Sequence, residues 1–247
     1  MLEARELFKS FGKVAAVRGV SFSARDGQIT GLLGPNGAGK STTLRMLYTV
    51  LKPDQGDAFI DGRSVLEDPL AARQAIGVLS HGAGVYNHLT ARENITYFGE
   101  LHGLTRADRE ARATELIELL EMQPFADRQA KGFSQGQKLK TALARALVHR
   151  PKNVLLDEPT NGLDVMAVRG LRKLLAQLRD AGHCVLFSSH VMQEVEQLCD
   201  EVVVIAGGQV VAAGTLADIR AHGGDRLEDA FVALMDANGE SKPEGRS

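Results

Sequence analysis

Eight consecutive residues, Gly34-Pro35-Asn36-Gly37-Ala38-Gly39-Lys40-Ser41, satisfy every fixed position of the pattern G-x-x-x-x-G-K-[ST]. The glycines let the backbone curl so that successive N–H groups point inward, which makes a cradle for phosphate oxygens. A helix beginning near Gly39 adds the partial positive charge of its N-terminus. Lys40 brings a point charge suited to the β- and γ-phosphates of a nucleotide, and the Ser41 hydroxyl is a ligand for Mg²⁺. An ordinary glycine-rich turn is the competing reading. It does not explain the apolar strand expected directly before the loop, at residues 29–33, or the helix expected after it, at residues 42–50. Thr42, next to Ser41, joins the residues expected at the phosphates.

A second group of chemically capable residues lies further along. Residues 153–159 read N-V-L-L-D-E-P, which places Asp157 and Glu158 at the end of a buried strand. Ligands collect at the carboxyl edge of a parallel sheet. Asp157 has the type and place of a Mg²⁺ ligand. Glu158 is expected to point elsewhere, because neighbouring strand residues alternate faces, and there it can act on an attacking water as a general base. The alternative, a carboxylate pair that only caps a turn, has the phosphate loop upstream against it.

Such side chains need a scaffold of alternating strands and helices. Residues 2–8 and 14–24 read as strands around a turn at Gly12-Lys13. Residues 52–56, K-P-D-Q-G, stop the helix that follows the loop. Residues 58–60 with Asp61-Gly62 make another strand and turn, and residues 76–79 a brief strand. From about Thr90 to Arg150 the period turns helical. Leu116, Ile117, Leu119 and Leu120 share one broad face, and Leu139, Ala142, Leu143, Ala146 and Leu147 repeat the i, i+3, i+4 spacing. Alternation then resumes, with strands at 154–156, 185–187 and 202–205 and helices at 168–178 and 192–198. The pattern predicts a mainly parallel α/β sheet with a helical insertion. The polar stretch 238–247 is expected to be disordered.

Length and composition narrow the classes of function. A chain of 247 residues suits one globular domain with room for a subdomain, and 44% hydrophobic with 24% charged residues excludes disorder over most of it. Twenty-nine Lys and Arg against 31 Asp and Glu give a net charge of -2, so no nucleic acid is expected as the main partner. Cys184 and Cys199 form no C-x-x-C pair and no disulfide framework, which fits a reducing compartment and two packed thiols. The opening residues M-L-E-A-R-E-L are charged where a secretory signal needs an apolar core, and no stretch approaches the roughly 20 apolar residues of a spanning helix. A soluble, cytosolic chain is expected, with any membrane spans supplied by another polypeptide.

The remaining motifs specify a family. Ser134-Gln135-Gly136-Gln137 opens a helix 20 residues before Asp157. With Phe133 it reads F-S-Q-G-Q and resembles the signature motif of the ATP-binding cassette (ABC) ATPases, L-S-G-G-Q, with two of five positions changed. Asn161-Gly162-Leu163-Asp164 resembles the family's D-loop. His190, 32 residues after Glu158, stands where the family places its switch histidine; Phe11, 29 residues before Lys40, stands where it places an aromatic that stacks on adenine. Taken singly, Ser134 is only an N-cap, His190 a satisfied polar residue and Phe11 a core aromatic; the ordered set, spanning about residues 1–220, gives them their roles.

The resemblance implies an α/β fold: a P-loop NTPase core of ABC ATPase type, mainly parallel sheet plus a small antiparallel β subdomain, at residues 1–83 and 151–223. It implies an inserted α-helical subdomain at 84–150 and a C-terminal helix and tail at 224–247. ATP and Mg²⁺ are the implied cofactors. Lys40, Glu158 and His190 are the implied catalytic residues, with Asp164 among those at the nucleotide. In the family the signature, here Ser134 to Gln137, faces ATP bound to the opposite subunit. One chain then holds two half-sites, and hydrolysis implies a dimer, expected to be a homodimer.

One position departs from the family. Its Q-loop glutamine should follow the strand at 76–79, where this chain has Ser80-His81-Gly82. Either His81 takes the glutamine's place near Mg²⁺ and the γ-phosphate, or the loop only links core to insertion. A His81 in the site should make hydrolysis respond to pH near about 6–7.

Residues 89–94, 97–103, 160–166, 187–194 and 227–231 resemble the ATP-binding subunits of sodium-extruding, Nat-type ABC exporters, and subunits of drug, lipid and polysaccharide exporters share parts of them. That likeness implies a separately encoded transmembrane permease, docked near residues 86–98, and a peripheral position on the cytoplasmic face of the cell membrane. No residue reads out the cargo, so sodium rests on the resemblance alone. The alternative is a non-transport ABC ATPase acting on ribosomes or DNA. Those carry two cassettes or a long coiled-coil insertion, and this chain has one cassette and no heptad run. A P-loop GTPase needs an N-K-x-D motif, which the sequence lacks.

Overall fold

A hairpin opens the chain. In the computed structural model, which describes residues 1–82 and 84–238, β1 (Leu2–Phe11) and β2 (Val14–Ala24) pair antiparallel around Gly12-Lys13, with Phe11 opposite Val14. β3 (Ile29–Leu33) leaves for a second sheet and is buried along its whole length. The loop after it leads into α1 (Lys40–Leu47). β4 (Gln55–Ile60) returns to pair with β1, and the two-residue β5 (Arg63–Ser64) completes a four-stranded antiparallel sheet of order β2-β1-β4-β5. Next come α2 (Pro69–Gln74) and β6 (Ile76–Leu79), and then three helices: α3 (Ala91–Leu101), α4 (Arg106–Leu119) and α5 (Gln135–Leu147).

The chain then returns to the second sheet through β7 (Asn153–Asp157), α6 (Val165–Asp180), β8 (Cys184–Ser189), α7 (Met192–Leu198), β9 (Glu201–Ala206) and β10 (Gln209–Thr215). Two further helices, α8 (Leu216–Arg220) and α9 (Leu227–Ala237), complete the described part. The sheet order is β10-β9-β3-β8-β7-β6, parallel throughout except for the β9–β10 pair. Strands buried on both faces need near-continuous apolar runs, and β7 and β8 are buried at every position.

The pleat divides the apolar residues between two cores. Ile29, Leu33, Val154, Leu156, Val185 and Phe187 pack on the side of α3 to α6. Leu32, Leu155, Cys184 and Leu186 pack on the other side, against α1 and the antiparallel sheet. Both cysteines are free and buried; burial pushes the Cys184 thiol up to about 12 and raises Cys199 as well, so neither is a ready nucleophile.

Local signals set the helix ends. Capping boxes start α3 (Thr90 with Glu93), α5 (Ser134 with Gln137) and α8 (Thr215 with Asp218). The structure differs from the sequence expectation in places. α1 begins at Lys40 and stops at Leu47, because Gly39 turns left-handed before it and Thr49 (φ 63°) after it. α4 ends at Leu119, and Glu121 at φ 53° turns the chain. Leu119 is therefore exposed, while Leu116, Ile117, Leu120 and Met122 are buried. α2 was not expected, although Asp68 caps it and Pro69 occupies its first turn. β10 was also missed; it is a half-exposed edge strand with weak apolar alternation. Asn238 ends α9, and residues 239–247 of the tail expected to be disordered lie outside the described residues.

His149, just past α5, joins the helical layer to the sheet. Its ring nitrogen Nε2 lies 2.9 Å from the carbonyl of Ile76 in β6, and its ring stacks on His102 at 3.6 Å. Burial holds the His149 imidazole down to about 4, against an ordinary value of 6.5, and lowers His102 too. The folded chain thus resists protonation that the unfolded chain accepts. Stability from His149 is full above 6.5 and should be lost as pH falls toward 4. Denaturant midpoints at about pH 7 and about pH 5 should differ more for the wild type than for His149→Gln; equal differences would remove His149 as the cause.

Candidate active site

The loop between β3 and α1 is shaped by one backbone conformation. Gly39 takes φ 105° at the N-cap of α1, and a Cβ there would lie 2.6 Å from the carbonyl oxygen of Ala16. Only glycine fits. No side chain caps the helix and no acidic residue occupies its first turn, so its leading N–H groups and positive end face the loop.

Lys40 is 5% exposed. Its ammonium donates to the carbonyls of Gly34 (2.7 Å) and Pro35 (3.1 Å) and pairs with Glu158 Oε1 at 3.3 Å. Ser41 Oγ and Ser188 Oγ both donate to Asp157 Oδ1, each at 2.8 Å. Asp157 is 2% exposed, and its Oδ2 is buried without a hydrogen-bond partner among the described residues. An orphaned carboxylate oxygen beside a serine hydroxyl is an all-oxygen donor set. It fits Mg²⁺, which takes one or two protein oxygens and leaves its other positions to water and phosphate.

Glu158 does not follow strand alternation as expected. β7 ends at Asp157, and Glu158 lies beyond it in the left-handed region, at φ 50°. That turn, not the pleat, aims its side chain, which reaches His190 Nδ1 at 2.7 Å as well as Lys40. The Glu158 amide donates to Ser188 Oγ at 2.9 Å. One hydroxyl therefore holds both acidic residues: it accepts from the Glu158 backbone and donates to the Asp157 carboxylate. Sequence reasoning missed Ser188, because its role comes from the register that sets it beside Asp157, 31 residues away in the chain.

A cleft of about 370 Å³ lies over these groups, lined by residues 36–42 with Ala16, His81, Glu158, Asn161 and His190. Gly34 and Pro35 lie behind it and act through their carbonyls on Lys40. His81 and Gln135 share an adjoining cavity of about 390 Å³ with Asp157, Glu158 and Asn161. Asn161, which the sequence reading kept only as part of a motif, lines both spaces.

Other expected site residues lie outside the cleft. Phe11 is 51% exposed beside the hairpin turn, and Ala16 rather than Phe11 forms the cleft wall. Ser134 Oγ accepts from the Gln137 amide, and the Gln137 side chain accepts from the Ser134 amide, so both cap α5 next to Gly136. Asp164 caps α6 by accepting from the Ala167 amide at 2.8 Å. The geometry can thus cradle a polyphosphate, hold a hard cation at its edge and offer a carboxylate–imidazole pair to a water molecule.

The sequence profile described as "ABC transporter" matches residues 17–161. The chain is similar to the ABC transporter ATP-binding protein NatA of Bacillus subtilis (strain 168), 43% identical over 223 residues that cover 90% of each chain. It is 37% identical over 234 residues to the linearmycin resistance ATP-binding protein LnrL of the same organism, covering 94% of this chain and 75% of that one. Its fold superposes on a dimeric structure of a post-hydrolysis state of an ATP-binding cassette bound to ADP and Pi, with TM-score 0.79, 26% identity and coverage of 87% of this chain and 99% of that chain. Profile, relatives and fold show that the chain belongs to the ABC transporter family, as an ATP-binding subunit that hydrolyses ATP.

Proposed function

We propose that this chain powers an exporter, as one of two like ATP-hydrolysing subunits bound to a separate membrane permease at the cytoplasmic face. The observation that carries the hydrolytic part is the contact chain Lys40–Glu158–His190, with a carboxylate 3.3 Å from a buried ammonium and 2.7 Å from an imidazole at the phosphate cleft. Lys40 and the backbone N–H groups of residues 36–39 hold the β- and γ-phosphates. Ser41 and Asp157 hold Mg²⁺, which when bound supplies positive charge to the phosphates. Glu158 takes a proton from water as the water oxygen bonds to the γ-phosphorus and the bond to the leaving ADP oxygen breaks. His190 orients Glu158 and hydrogen-bonds the γ-phosphate. His81, on the wall shared by the two cavities, takes the place of the Q-loop glutamine.

The dimer reading rests on the residues that their own cleft leaves out. Ser134 to Gln137 lie on the rim of the molecule, and a second copy facing the first brings them to the other cleft. Asp164, at the start of α6, belongs to the same face. Phe11 stacks on adenine at the cleft's outer edge. The dimeric state of a similar cassette bound to ADP and Pi supports the dimer.

No described helix is long and apolar enough to cross a membrane, so the permease supplies the spans. Export is favoured by similarity to a resistance protein, and sodium is the cargo we propose from the Nat-type resemblance. ATP binding brings two subunits together; hydrolysis separates them and moves the attached permease.

Glu158→Gln should keep ATP binding, lower turnover by about 10²- to 10⁴-fold and accumulate an ATP-bound dimer on gel filtration; full hydrolysis would reject Glu158 as base. Lys40→Ala should weaken ATP binding itself in calorimetric titration. His81→Ala should lower the rate of ATP hydrolysis by the purified chain, and an unchanged rate would make the loop a plain linker. The tagged chain, drawn from its own membranes in mild detergent, should carry a multi-span partner, and vesicles holding both should move sodium when given ATP. A soluble partner, or none, would overturn the exporter reading; vesicles that move another solute would overturn sodium.

A further inference from the structure

β7 and β8 pair as far as Asp157 and Ser188. Glu158 lies one residue past that position and His190 two, so the ladder between these strands fixes neither side chain. Beyond the ladder a third residue joins the two segments. Glu194, on the first turn of α7, is 7% exposed. Its Oε2 accepts from Thr160 Oγ1 at 2.8 Å and from Ser189 Oγ at 2.9 Å. Thr160 follows Glu158 by two residues, and Ser189 directly precedes His190. Ser189 Oγ in turn accepts from the Val191 amide at 2.9 Å, so the histidine is held by hydrogen bonds on both sides.

A side chain placed there for packing alone would be apolar, because desolvating a carboxylate carries a cost that a leucine avoids. Here the carboxylate meets two hydroxyls, one from each segment. We propose that Glu194 is a positioning residue for ATP hydrolysis: by holding Thr160 and Ser189 on one oxygen, it keeps Glu158 and His190 at the separation the reaction needs. The inference rests on the assignment of Glu158 and His190 as the hydrolytic pair. Glu194 lies outside the cleft lining, so it acts on geometry and not on nucleotide. A displacement of about 1 Å at a reacting group costs on the order of 10²-fold in rate.

The test is steady-state ATP hydrolysis by the purified full chain. Glu194→Ala should lower kcat by about 10-fold or more while KM for ATP moves by less than about 3-fold. Glu194→Gln, whose amide oxygen still accepts both hydroxyls, should restore most of the loss. In a His190→Ala background, Glu194→Ala should add little, since the Glu158–His190 separation it keeps no longer exists. An unchanged kcat in Glu194→Ala, a fall matched by rising KM, or full additivity with His190→Ala would overturn the proposal. If Glu194→Ala fails to fold, Thr160→Val removes one hydroxyl at constant shape and is judged by the same kcat and KM split. Wild-type turnover in both Glu158→Gln and His190→Ala would remove the pair and this role with it. Loss of turnover in those two with full activity in the Glu194 and Thr160 variants would remove the role of Glu194 alone.

Discussion

A buried ammonium must be surrounded by acceptors, and in this protein that requirement falls on Lys40. Its partners are two carbonyls from its own loop and one carboxylate from just past the end of β7, two strands away in the sheet. The carbonyls of Gly34 and Pro35 can reach it only if the chain doubles back on leaving β3, and the left-handed turn at Gly39 brings the chain into α1. The carboxylate can reach it only if Glu158 steps off β7 at a positive φ. Loop shape, helix start and strand end are therefore consequences of one charge placed out of water. The N-terminus of α1 beside it carries no side-chain cap, which suits an anion.

The parallel sheet makes those positions reproducible. β3, β8 and β7 lie side by side, and their carboxyl ends deliver Lys40, His190 and the acidic pair to one edge. Hydroxyls finish the task. Ser41 and Ser188 hold one oxygen of Asp157, and Ser189 and Thr160 hold one oxygen of Glu194. Two apolar cores, one on each face of the sheet, lock the strands from which these short side chains project. Small polar residues at strand ends do little for burial, yet here they fix the distances between charged groups.

The helical layer answers a different demand. α5 begins with a capped serine on the outside of the molecule and ends against β6, where a Cβ on Gly77 would meet the Ala146 carbonyl oxygen at 2.3 Å and His149 bonds the Ile76 carbonyl. Its outer end is free to meet another chain, while its inner end is coupled to the strand that leads into His81.

Much of this was legible in the residues themselves. The phosphate loop, the strand before it, the helix after it and the serine that caps α5 are all specified within a few neighbouring positions, because turns, caps and apolar runs are local in origin. β3, β6 and α7 occur where their patterns place them. The faint elements were α2 and β10, short and weakly patterned, and Leu119 lost its expected burial to a chain reversal two residues later. What only the tertiary structure decided is which distant groups share an atom: Ser188 beside Asp157, Glu194 between Thr160 and Ser189, and Glu158 turned toward both Lys40 and His190. Each of those depends on strand order and register. Sequence spacing does not encode register directly, since parallel neighbours are joined through long crossovers whose pairing is settled by packing of the whole sheet.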